Sequence, residues 1–157
     1  MPLGTAVIRF ALVACAVAGC LAGTMLLSSA HAEPQLKKPA QVIGEWTGKY
    51  ICGQGVTRLD LEIRQGEGNS LTATFRFGPL PENPHIPFGA YTMKGAYDPL
   101  LRHVELEGVK WIEYPQNYVM VGLDGRMDAD GGRIRGVVPR MFNCSEFEVK
   151  RPAELVS

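Results

Sequence analysis

The strongest pattern of apolar and polar positions lies at 44–63, GEWTGKYICGQGVTRLDLEI. Trp46, Gly48, Tyr50 and Cys52 alternate onto one face, with Glu45, Thr47 and Lys49 on the other. Beyond Gly53-Gln54-Gly55 the alternation resumes, with Leu59, Leu61 and Ile63 set against Arg58, Asp60, Glu62 and Arg64. Period two with one apolar face predicts two half-buried antiparallel strands joined by a tight turn. The same period recurs at Leu71, Ala73, Phe75 and Phe77 and at Tyr91, Met93 and Tyr97 of 90–97. It returns at Val104 and Leu106 of 102–109 and at Phe147 and Val149 of 144–150. Segments 118–128 and 133–138 read as two further strands around the turn Ala129-Asp130-Gly131-Gly132, whose glycines supply the positive φ angles hairpins need. Gly95, inside the fourth strand, predicts a bulge or sharp bend.

Two long connections interrupt the strands. Segment 78–88, GPLPENPHIPF, has four prolines and can be neither a central strand nor a helix interior. Segment 110–117, KWIEYPQN, reads as a second loop, broken by Pro115. About eight short strands, without a helical period after the N-terminal run, predict an all-β fold. The expected form is an antiparallel meander closed, or nearly closed, into a small barrel, because closure buries the apolar face and removes exposed edges.

The first 32 residues stand apart. Arg9 is the only charge before Glu33, 8–27 is almost purely apolar, and Ala30-His31-Ala32 offers the small residues a signal peptidase accepts. Residues 1–32 are therefore read as a signal peptide, 33–43 as a polar tether with Pro34 and Pro39, 44–151 as the barrel and 152–157 as a tail. A lipoprotein signal ending at Cys20 ranks second, and an uncleaved anchor third. All three readings place the domain outside the cytoplasm, periplasmic or secreted. From Glu33 onward the chain carries 15 basic and 16 acidic residues, a net charge of −1, interspersed along the strands. That balance argues against nucleic acid, or an anionic membrane surface, as the main partner. Membrane attachment would come only through a lipid at Cys20 or the uncleaved anchor.

Cleavage leaves Cys52 and Cys144, an even pair in an oxidising compartment, and predicts a disulfide between the first strand and the last. Two free buried thiols are the alternative. A metal pair ranks lower, because no histidine or third cysteine lies at ligand spacing.

Catalytic chemistry finds little support. Ser70, Ser145 and Ser157 lie outside any nucleophile elbow, and His85 and His103 read as solvated surface groups. The pairs Asp60/Glu62 and Glu105/Glu107 read as polar sheet faces. Asp124, Asp128 and Asp130 lack calcium-loop spacing, and Gly53-Gln54-Gly55 opens no helix that could cradle phosphate. The expectation is a non-enzyme without cofactor or metal. Candidate binding residues are aromatic: Trp111, Tyr114 and Tyr118 in one long loop, with His85 and Phe88 in the other. The competing reading makes Trp111 or Tyr118 a plug for the barrel end.

The run Trp46-x-Gly48-x-Tyr50-x-Cys52-x-Gln54-Gly55-x-Thr57-x-Leu59-x-Leu61-x-Ile63 is joined by Trp111-Ile112, Tyr118, Gly122-Leu123 and Cys144-x-x-Phe147. Together they resemble a family of small exported bacterial β domains that stand alone behind a signal peptide or are appended to larger proteins, caspase-like ones among them. The resemblance implies a compact disulfide-linked β domain with an accessory function, and no catalytic residues. Tyr50-Ile51-Cys52 and Asn143-Cys144 also resemble inhibitors of c-type lysozyme. The chain departs from these in lacking a Ser-Gly-x-x-Tyr signature and in its longer inter-cysteine segment. Three functions follow in order: a binding module contacting a protein or glycan of the cell envelope through the two long loops, an inhibitor of a lysozyme-like hydrolase, and a lipocalin-like barrel for a small ligand. Large inward residues such as Trp46, Phe75 and Tyr91 count against the third.

Overall fold

The computed structural model describes residues 41–68 and 70–153. The residues read as a signal peptide, Cys20 among them, and most of those read as tether and tail lie outside the described residues. Eight strands run in sequence: β1 (Gly44–Cys52), β2 (Gly55–Gln65), β3 (Ser70–Gly78), β4 (Gly89–Asp98), β5 (His103–Glu113), β6 (Leu123–Met127), β7 (Arg133–Val137) and β8 (Glu146–Lys150). Each pairs antiparallel with the next, and β8 returns to β1, so the sheet is a closed meander barrel. The closing register sets Tyr50 opposite Phe147 and Thr47 opposite Lys150. Cys52, at the end of β1, is disulfide-bonded to Cys144, just ahead of β8.

Alternation puts the predicted residues inside. Trp46, Leu59, Ile63, Phe75, Tyr91, Leu106 and Val149 are almost wholly buried. Two glycines make this packing achievable. A Cβ on Gly48 of β1 would overlap the Glu148 carbonyl oxygen of β8 at the closing seam, and one on Gly125 would lie 2.6 Å from the Phe147 ring.

The two ends of the barrel differ. At one end Val42 is fully buried, and its carbonyl accepts a 2.9 Å hydrogen bond from Trp46 Nε1. The Arg151 guanidinium lies 4.3 Å from the Trp46 ring centroid and donates to the carbonyls of Gln41, Ile43 and Gly131. This cation–π cap seals the end, and it draws Val42 and Ile43, read from sequence as tether, into the folded unit. The connections there are short, 66–69, 99–102 and 128–132. At the opposite end they are longer: 79–88, 114–122 and 138–145, beside the two-residue turn 53–54.

Three expectations need correction. Residues 110–113 belong to β5, so Trp111 is a strand residue and the loop begins at Tyr114. Residues 118–122 form no strand; β6 begins at Leu123. The bulges fall at Val109 and Ile112 of β5, which the β4 register skips, whereas Gly95 pairs regularly with Leu106. Gly95 is needed because a Cβ there would overlap the Glu105 carbonyl oxygen.

Candidate functional site

The long connections meet at the open end and brace one another. Asn83 of the proline loop donates through Nδ2 to the carbonyls of Gln54 (2.8 Å) and Val56 (3.1 Å), tying that loop to the first hairpin. Ile86, in the same loop, is buried. Pro115 packs against the start of β4, where a Cβ on Gly89 would lie 3.0 Å from its Cδ. Segment 114–122 is fastened from inside the barrel: the Tyr91 hydroxyl donates to the Val121 carbonyl and accepts from the Val121 amide, both at 3.1 Å. Cys144 holds the 138–145 connection to β1 through its disulfide with Cys52. Loops held at so many points lose little freedom on meeting a partner.

An aromatic chain leads from the core to this end. Tyr50 meets Phe75 edge-on at 5.4 Å, Phe75 stacks on Tyr91 at 4.6 Å, and Tyr91 meets Trp111 edge-on at 5.1 Å. Phe77 stacks with Tyr118 at 5.3 Å, and Tyr114 lies 5.0 Å from Trp111 on the outer side. The five sequence-selected residues therefore divide. Trp111 and Tyr118 are half-buried and packed on the core, as in the plug reading. Tyr114 (58%) and Phe88 (61%) are largely exposed, and His85 is exposed on the proline loop. Residues the sequence reading did not single out join them: Val119 is 60% exposed, and Phe142 projects fully from the 138–145 loop. Exposed apolar side chains on stiffened loops, at one end of a rigid barrel, form a surface suited to contact.

Inside this rim lies a pocket of about 280 Å³, lined by Tyr50, Gln54, Asn117, Tyr118, Asn143 and the Cys52–Cys144 disulfide. Gln54 Nε2 donates to the Tyr50 hydroxyl at 3.2 Å and approaches Thr57 Oγ1 at 3.4 Å; Thr57 in turn donates to the Gly55 carbonyl. Burial, reinforced by Tyr118 beside it, raises the Tyr50 pKa well above the ordinary tyrosine value, so its proton stays on. Burial does the same to Tyr91. The signal for Gln54 and Asn143 was their closeness in sequence to the two cysteines, since the disulfide is what gathers them.

The acidic pairs lie on the outer wall and are engaged in ion pairs. Asp60 meets Arg58 at 2.6 Å, Glu62 meets Arg64 and Arg76, and Glu105 and Glu107 share Arg140. The Arg64 hydrogen bond holds the Glu62 carboxyl below its usual range. Asp124 contacts His103 Nε2 at 2.7 Å, Asp128 pairs with Arg133 and Arg135, and Asp130 accepts from the Gly132 amide. These three aspartates thus have separate structural partners. No protein-family model, curated protein or solved structure matches the chain.

Proposed function

We propose that this chain is a non-catalytic binding domain, exported to the periplasm or beyond, which contacts a protein or glycan of the cell envelope through the long-loop end of its barrel. The observation that carries the reading is the grouping of Phe88, Tyr114, Val119 and Phe142, all more than half exposed, on three braced loops at that end. The opposite end is sealed by Trp46 and Arg151. The likeness to exported accessory β domains agrees with this reading, and the disulfide suits an oxidising compartment. The test is capture from envelope extract by immobilised chain, wild type against a Phe88→Ser/Tyr114→Ser/Phe142→Ser variant of unchanged melting temperature. Loss of a specifically retained component in the variant supports the reading; equal retention by both refutes it.

Inhibition of a lysozyme-like hydrolase is the second reading. The two motifs behind that likeness, Tyr50-Ile51-Cys52 and Asn143-Cys144, converge at the pocket through the disulfide. A turnover assay with c-type lysozyme decides it. A ligand held in lipocalin fashion would enter by the same mouth, since the far end is closed and the interior is filled by Trp46, Phe75 and Tyr91.

A further inference from the structure

We infer that the pocket at the barrel mouth is a subsite for one uncharged acetamido sugar, an N-acetylhexosamine unit of a larger glycan. The inference rests on the reading that the loop end is the binding face, and names the ligand class for its central pocket.

Charge is the first argument. No Asp, Glu, Lys, Arg or His lines this pocket, although the outer wall is laced with ion pairs. A phosphate, carboxylate or ammonium group would find no side chain of opposite charge in the lining, whereas the carboxamides and hydroxyls there suit neutral groups. The ligand is therefore neutral.

Hydrogen-bonding capacity is the second. The pocket presents three carboxamides, of Gln54, Asn117 and Asn143, and the hydroxyls of Tyr50 and Tyr118. The Asn83 amide outside the pocket is engaged with two carbonyls. Those of Asn117 and Asn143, by contrast, donate to no protein acceptor among the described residues. Carboxamides both donate and accept, which suits the hydroxyl groups and the acetamide of a sugar. Tyr50 accepts from Gln54, which leaves its own proton to donate toward a ligand oxygen.

Shape and apolar surface are the third. Tyr118, stacked on Phe77, is part of the pocket lining and supplies aromatic surface for the C–H side of a sugar ring. Val119, Val121 and Met141 add an apolar wall for the acetamide methyl group, which a plain hexose lacks. At about 280 Å³ the pocket lies just below the usual range of ligand sites, about 300–1,000 Å³, so it suits one ring and neither an acyl chain nor an oligosaccharide.

The test is calorimetric titration of the full chain with tri-N-acetylchitotriose, alongside maltotriose and a blocked uncharged dipeptide. Saturable chitotriose binding is expected, with maltotriose weaker by about tenfold or more, the effect of roughly one lost interaction. Asn117→Gly, which suits the positive φ of 64° at that position, and Asn143→Ala should each weaken chitotriose by about tenfold at little-changed melting temperature. Leu100→Ser, at the opposite end of the barrel, should leave its affinity unchanged. Absence of saturable binding up to about 10 mM, a very weak affinity on any scale, overturns the inference. So does equal binding of maltotriose, a preference for the dipeptide, or indifference to both asparagine substitutions. The two levels fail separately. Rim-dependent envelope capture without chitotriose binding removes the sugar subsite and leaves the wider reading. Chitotriose binding in a chain whose rim variant captures normally removes the rim and leaves the pocket.

Discussion

Replacing Tyr91 with Phe should destabilise the domain by about 2 kcal/mol, within the roughly 1–3 kcal/mol that follows from stranding buried polar groups. One hydroxyl serves both the amide and the carbonyl of Val121, a residue only 6% exposed, and Tyr91 itself is 1% exposed. Phenylalanine keeps the ring that stacks on Phe75 and opens no cavity, so the loss isolates the hydrogen bonds. Both Val121 groups would then lack a partner, with water at the barrel mouth offsetting part of the cost. Two kcal/mol lowers the midpoint of urea unfolding by about 1 M, for a slope near 2 kcal/mol/M. It lowers the melting temperature by roughly 8 °C. Because the hydroxyl fastens 114–122, amide exchange in that segment should quicken more than exchange in β2 and β3. A midpoint shift worth under about 0.5 kcal/mol, the scale of an ordinary surface substitution, would refute the reasoning. A rate increase spread evenly over all strands would do the same.

Other outcomes follow from the same structure. Thiol labelling of the unfolded, unreduced chain should leave Cys52 and Cys144 unmodified, and Cys144→Ser should cost about 2–5 kcal/mol by chemical denaturation, since the bond closes a separation of 92 residues. Trp46→Ala should cost about 3–5 kcal/mol in a thermal or urea melt, as for a buried tryptophan, and Trp111→Ala measurably less, because Trp111 is only half-buried against Tyr91 and Phe77. Tyr50 and Tyr91 keep their protons in the folded state at pH values where the unfolded chain loses them, so the unfolded state binds fewer protons above about pH 10. Their contribution is full below that pH and falls as pH rises through it, by up to about 1.4 kcal/mol per pH unit for each tyrosine. Urea titrations at pH 9 and 11 should show a steeper loss for wild type than for Tyr91→Phe.

The strands were legible wherever one face is buried and the register runs unbroken, as at Leu59, Leu61 and Ile63 or Leu71, Ala73, Phe75 and Phe77. The pattern misled where the register slips. Inward positions on β5 are even-numbered through Leu106 and odd-numbered at Trp111, because the bulge at Val109 inserts one residue. A period-two reading therefore ends the strand early and assigns Trp111 to a loop. Segment 118–122 misled in the opposite sense. Its apolar residues read as a strand, yet a tyrosine side chain satisfies both backbone groups of Val121. Val42 was hidden among polar and proline-rich neighbours, and only the Trp46 indole shows why it is buried. The rim was partly legible, since an even number of intervening strands returns a meander to the same end. The pocket was not, because Tyr50 of β1 and Asn117 and Asn143 of two connections are gathered only by barrel closure and the disulfide.

The central claim is that the long-loop end is the working face. It is tested most directly by amide hydrogen exchange of the full chain with and without a bound envelope component. Protection is expected to be confined to 79–88, 114–122 and 138–145, with the turns 99–102 and 128–132 unchanged. Protection centred on those opposite turns, around the exposed Leu100 and Leu101, would contradict it.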